Sequence, residues 1–196
     1  MKFRNIQLCI ELEDISPRIW RRFVVPSTIT LDRLHDVIQI VMGWTDTHLH
    51  EFVIKDRHYT DLSDSEEDEK SGEEGLYRLK SLIDKPGMEF KYIYDFGDNW
   101  VHRLKVEKTN IDDDEEWGCL FCLDGGGNCP PEDVGGIPGF DEFCEALSSK
   151  KHPEHETLKA WYGDDFDRDF FSSEEVNLGL LFFLRWSKDR ALPWNE

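Results

Sequence analysis

No run in the 196-residue chain approaches the roughly 18–20 apolar residues of a membrane-spanning helix. The first residues, Met1-Lys2-Phe3-Arg4-Asn5, lack the apolar stretch and cleavage site of a secretory signal. No HExxH helix, phosphate-binding glycine loop or serine elbow occurs, which removes the commonest hydrolase and nucleotide-binding signatures. Positive charge is scarce: 23 Lys and Arg face 42 Asp and Glu, for a net charge of −19, so nonspecific binding to a phosphate backbone is disfavoured. Arg18, Arg21, Arg22 and Arg33 form the only candidate basic cluster. Five cysteines without an export signal read as reduced thiols, and the expected address is the cytoplasm.

What is present is enough for a core. Hydrophobic residues make up 39% and aromatics 13%, which excludes a wholly disordered chain. The acid is concentrated: eight acids and one lysine lie between Asp61 and Glu74, and Asp112 to Glu116 adds five in a row. Like charges this dense repel and cannot pack, so a mobile acidic loop is expected at about 61–75 within one domain spanning 1–196.

Ile6, Leu8, Ile10 and Leu12 alternate with polar residues, as in a half-buried strand, and Ile19 to Val25 reads as a second. Thr30 offers a helix N-cap, Leu34, Ile38, Val41 and Met42 follow at helical spacing, and Gly43 is the stop. Leu49 to Ile54 predicts a strand, and Leu76 to Ile83 a helix ended by Pro86-Gly87. Met88 to Lys108 is the clearest β-hairpin: Phe90, Tyr92 and Tyr94 alternate into the turn 95–99, and Trp100, His102, Leu104 and Val106 alternate out of it. Six glycines and three prolines between Cys119 and Gly139 argue for an irregular loop. Helical patterns follow at Asp141 to Leu147, from Pro153 through Trp161, and from the capping box Ser172-x-x-Glu175. Strands followed by helices give an α+β single domain: a mainly antiparallel sheet around the central hairpin, helices packed on it and a helical C-terminal third.

Three segments carry chemistry. His48 and His50 are two apart on a predicted strand and so share a face, where both imidazoles could reach one divalent metal such as zinc. Asp95 and Asp98 sit on the hairpin turn, and His102 shares the face of Trp100. Carboxylates and imidazoles close together hold cations or relay protons. Glu132 and Asp133 lie between two stiffening prolines and two permissive glycines. The expectation is that His48, His50 and His102 gather with Asp95 or Asp98 beside them, with Trp44, Tyr94 and Trp100 as walls. Cys119, Cys122 and Cys129 are a separate, half-complete zinc knuckle that Cys144 or His152 would have to finish. Asp95-Phe96-Gly97 matches a kinase triplet, but no other kinase motif accompanies it.

In chain order, Trp20-Arg21-Arg22, Leu34-His35, Gly43-Trp44, His48-Leu49-His50-Glu51-Phe52, the stretch from Tyr94 to Trp100 with His102, and Pro130-Pro131-Glu132-Asp133-x-Gly135-Gly136 occur together. With His152-x-x-His155 and Trp161-Tyr162-Gly163, this set resembles the plasmid pRiA4b ORF-3-like family over roughly Ile6 to Leu180. The resemblance implies an α+β single-domain fold and no established reaction. Some members lie on mobile elements and carry a resolvase label, but neither a resolvase serine motif nor a basic DNA-binding helix is evident here. Many members have Cys where Val134 stands, a departure that weakens a cysteine-based metal site. Two functions are left to weigh: a metal-assisted hydrolase, or a noncatalytic interaction module associated with mobile genetic elements.

Overall fold

The computed structural model describes residues 4–62, 71–83, 85–163 and 166–186. Its frame is an eight-stranded sheet in the order β5-β4-β3-β6-β7-β1-β2-β8. The strands are β1 (Asn5–Leu12), β2 (Trp20–Pro26), β3 (His50–Ile54), β4 (Arg57–Thr60), β5 (Ser71–Glu73), β6 (Glu89–Tyr94), β7 (Trp100–Ile111) and β8 (Phe121–Gly126). Neighbours are antiparallel except β4 and β5. The β6–β7 hairpin occupies the middle of the sheet, and Trp100 is fully buried. This is the α+β domain with a central hairpin that the alternation predicts.

Period two decides which face is wet. Ile6, Leu8, Ile10 and Leu12 of β1, Phe90, Tyr92 and Tyr94 of β6, and Leu104 and Val106 of β7 all enter one core. The opposite face is a charged surface: Arg22 pairs with Glu107 at 2.6 Å, Arg18 with Glu11 at 3.0 Å and Lys91 with Glu13 at 2.9 Å. The basic cluster read from the sequence is thereby dispersed. Arg21 and Arg33 are buried, and the Arg21 guanidinium donates to the carbonyls of Val41, Trp20 and Gly126.

Helix α1 (Leu31–Met42) lays Leu34, Ile38, Val41 and Met42 on the core face. Gly43 ends it in the left-handed region at φ 107°, donating its N–H to the Gln39 carbonyl. Thr30 stands at the N-cap without capping through its side chain, which donates to Asp32 instead. The predicted helix over 76–83 shrinks to one turn, α2 (Leu79–Leu82). The backbone before it is already engaged: Leu31 N–H donates to the Tyr77 carbonyl and Leu79 N–H to the Ile29 carbonyl.

The Gly/Pro-rich segment yields an edge strand, β8, where an irregular loop was expected. Gly125 is needed there, since a Cβ would lie 2.7 Å from the Phe171 ring. Helix α3 (Gly136–Ser148) and helix α4 (His155–Tyr162) follow. Helix α5 (Ser173–Trp186) closes the β8 side through Asn177, whose amide accepts from the Cys122 N–H at 2.6 Å and donates to the Cys122 carbonyl at 3.0 Å. Ser172 Oγ accepts from the Glu175 N–H, one half of the expected capping box. No helix among the described residues is long and apolar enough to cross a membrane.

Of the acidic stretch, residues 63–70 lie outside the described residues. Its far end is not a solvated loop: Ser71–Glu73 is β5, Glu74–Leu76 is a 3-10 turn, and Glu74 is 4% exposed. The cause is a partner that charge density alone does not reveal, His50.

Candidate functional site

The site forms where three loops meet at one end of the central strands. The first, Trp44 to Leu49, joins α1 to β3. The second is the hairpin turn, whose Asp95 N–H donates to the Leu49 carbonyl at 2.9 Å. Asp95 sits at φ 54°, and its Oδ1 accepts the Gly97 N–H at 2.8 Å, which leaves Oδ2 for the site. The third is the Pro130–Gly136 loop. Asp98 Oδ2 accepts the Gly135 N–H at 3.0 Å, and Gly136 has φ +67° with the Asp98 carbonyl 2.8 Å from where a Cβ would stand. Asp98 therefore anchors this loop to the hairpin.

Glu132 is held with unusual completeness on one oxygen. Its Oε1 accepts the Thr45 N–H at 2.7 Å, the Thr45 hydroxyl at 3.0 Å and the Tyr94 hydroxyl at 3.0 Å. Tyr94 in turn accepts the Thr47 N–H at 3.0 Å, and burial raises its hydroxyl to about 12, so it stays a donor. Oε2 of the same carboxylate is buried and has no hydrogen bond.

That bare oxygen faces His48. The Nε2 of His48 lies 3.2 Å from Asp133 Oδ1, 3.7 Å from Asp95 Oδ2 and 3.8 Å from Glu132 Oε2, and it is also buried without a hydrogen bond. Ligand atoms of His48, Asp95 and Asp133 all lie within 4.8 Å of one another. Tetrahedral ligands bonded at about 2.1 Å stand about 3.4 Å apart, so this spacing suits one cation. A buried polar atom left unpaired costs roughly 1–3 kcal/mol, which makes two of them in one corner a sign of an external partner.

His50 and His102 take other partners. His50 Nε2 is 2.8 Å from Glu74 Oε2, and its ring stacks on His35 at 3.5 Å between centroids and 7° between planes. The Tyr92 hydroxyl accepts from Gln39 Nε2 at 2.9 Å and donates to His35 Nδ1 at 2.7 Å. His35 Nε2–H then donates to Asp46 Oδ1 at 2.8 Å. Burial pushes His35 down, against the opposing pull of Asp46. His102 is fully buried, accepts from Trp44 Nε1 at 3.4 Å, and donates from Nδ1 to the Tyr92 carbonyl at 3.3 Å. Its loss of solvation lowers it to about 4, so it is a neutral core imidazole at physiological pH.

Trp44, Tyr94 and Trp100 form the aromatic wall, with Trp44 5.2 Å from Tyr94 and 5.6 Å from Trp100. Cys119, Cys122 and Cys129 join no group of metal-ligand spacing among the described residues. Burial raises all three thiols, Cys122 to about 11, and disfavours the thiolates a metal needs. His35, Asp36 and Asp46 also stand close enough to share a cation, a grouping the sequence reading did not single out. The signal for it was a histidine on the apolar face of α1, one turn from Ile38.

Residues 4–175 match the family model described as plasmid pRiA4b ORF-3-like protein. The uncharacterized protein y4hQ of Sinorhizobium fredii (strain NBRC 101917 / NGR234) is 40% identical over 174 residues, 88% of each chain. The crystal structure of a protein of unknown function, MM3350 from Methanosarcina mazei Go1, is similar at a TM-score of 0.78 and 33% identity, covering 90% of this chain and 99% of that one.

Proposed function

Since the chain belongs to the plasmid pRiA4b ORF-3-like family, whose relatives above bear no reaction in their names, we propose a function from the site itself: metal-assisted hydrolysis. His48, Asp95 and Asp133 hold a divalent cation, and Glu132 is the general base. One observation carries this reading: the Nε2 of His48 and the Oε2 of Glu132 are both buried and bare, with three carboxylate oxygens 3.2–3.8 Å from that nitrogen.

A divalent cation in such a site supplies a Lewis acid and an acidified water. The protein's part follows from its geometry. Three donors on Oε1 fix the Glu132 carboxylate so that only Oε2 can take a proton. The Asp98–Gly135 bond keeps the loop bearing Glu132 and Asp133 against the hairpin. His102, neutral and buried, accepts the Trp44 Nε1–H at 3.4 Å and stands outside the group of His48, Asp95 and Asp133. All five cysteines are free, which supports a reducing, cytoplasmic setting.

Metal analysis of protein purified without a histidine tag, followed by calorimetric titration with Mn²⁺ and Zn²⁺, tests the proposal. One equivalent bound by the native chain and weakened about a hundredfold in His48→Ala is the expected result. Failure of the native protein to bind either ion would sink it. The noncatalytic module is the second reading, favoured by the anchoring of backbone by Asp98 and Glu132. In that case Glu132→Gln lowers stability and changes no cation-dependent property.

A further inference from the structure

The His48 centre, on the cation reading above, discriminates by charge: we propose that its substrates are neutral or cationic carbonyl compounds, esters or amides, and that phosphoesters are excluded. The first support is the number of oxygens each carboxylate offers. Asp95 has one oxygen engaged by the Gly97 N–H, and Glu132 has one saturated by three donors. Asp95 therefore presents one oxygen to the cation beside Asp133 and the His48 nitrogen, and Glu132 keeps one oxygen for the proton of the water; a five-coordinate cation then has room for the water and one acyl oxygen.

The second support is charge. Three carboxylates against one divalent cation and a neutral imidazole leave the occupied centre at −1. Among the described residues, the ion pairs of Asp95, Glu132 and Asp133 run to His48 alone, with no Lys or Arg among them. Phosphoryl transfer spreads negative charge over three equatorial oxygens, and sites that accelerate it gather Arg, Lys or a second cation around them. Among the described residues no Lys or Arg pairs with these carboxylates to serve as such a clamp, and the centre sits on a chain of net charge −19. Acyl transfer asks for less, because a single oxygen gains charge and one cation can stabilise it.

The hydrolysis balances with the groups present. Water oxygen forms a bond to the carbonyl carbon while Glu132 Oε2 accepts its proton. The carbon–oxygen or carbon–nitrogen bond to the leaving group then breaks, and that proton is returned to the departing alcohol or amine. Asp133, with its side chain 74% exposed, marks the open side from which a substrate enters.

The test uses the full chain loaded with Co²⁺, whose visible absorption reports changes in its coordination. Acetohydroxamic acid, a mimic of the acyl group that is neutral in solution and passes its proton to Glu132 as it binds, is titrated against inorganic phosphate. The hydroxamate is expected to perturb the spectrum at a concentration at least about tenfold below that of phosphate, and Glu132→Gln, by removing one charge, to narrow the gap by about tenfold. Phosphate binding as tightly as hydroxamate overturns the substrate class while leaving the cation site standing. A gap unchanged in a folded Glu132→Gln variant does the same. No Co²⁺ spectrum at all removes the cation reading, and the inference with it.

Discussion

His35 and His102 have both ring nitrogens within hydrogen-bonding reach of a partner, whereas the Nε2 of His48 is buried against three carboxylates and bonded to none. The two situations lie on one face of the same sheet: Tyr92 touches His35, His50 and His102, and Tyr94 touches His48. Burial alone therefore does not mark a functional histidine. His102 is the most buried of them and the least available, because its neutral ring is spent on Trp44 and the Tyr92 carbonyl. What separates His48 is incomplete satisfaction next to concentrated negative charge.

Four measurements would break or sharpen this contrast. The largest effect is expected from His102→Ala, which leaves a cavity and an unpaired Trp44 N–H and should cost roughly 3–4 kcal/mol in urea unfolding. Cation affinity of the folded fraction should stay within about threefold of native, since additivity holds for groups without shared partners. A large loss of affinity would make His102 part of the centre.

Next comes the pH response. His102 titrates near 6.5 when unfolded and at about 4 when folded, so acid protonates the unfolded chain first. Stability is fully present above pH 6.5 and is lost as the pH falls toward 4, by about 3 kcal/mol at 1.36 kcal/mol per unit. His35, pushed down in the same direction, adds to that slope. Urea melts between pH 7.5 and 4 should show it, and His102→Asn should flatten it. A slope unaffected by His102→Asn would place the acid sensitivity elsewhere.

His48→Ala should weaken cation binding about a hundredfold, which is about 2.7 kcal/mol, while moving cation-free stability by less than about 1 kcal/mol. If the stability change dominates instead, His48 belongs with the structural histidines and the contrast collapses. The smallest effect is expected for Tyr94→Phe. It removes one donor to Glu132 and the acceptor of the Thr47 N–H, and should cost about 1 kcal/mol in thermal or urea unfolding.

Much of this was legible before the fold was known. The alternation of Phe90, Tyr92 and Tyr94 against Trp100, His102 and Leu104 located the central hairpin, and residue types alone put His48, Asp95, Glu132 and Asp133 among the candidates. Strand order was what the sequence withheld. His50 pairs in register with Tyr94 on β6, and His102 with Tyr92 from β7 on the far side, so a strand separates β3 from β7. Sharing a face then does not mean sharing a ligand. Glu74 was hidden for a similar reason: among eight acids, nothing local marks the one that a distant His50 will bury. Strand β8 was missed because Gly125 answers to Phe171 and Arg21 and Gly126 to Trp20, side chains far along the chain in both directions.

The place of β1 in the sheet has a consequence during synthesis. Ile6 pairs with Val25 on one side and with Thr109 on the other. A nascent chain can close the β1–β2 hairpin early, but the second edge of β1 must wait until β7 has emerged. At about 5–20 residues per second, that interval lasts several seconds. Throughout it, Ile6, Leu8, Ile10 and Leu12 stand on a strand with one bare ladder edge, a ready template for another chain. Mispairing at the ribosome is one way in which this topology exposes the protein to aggregation.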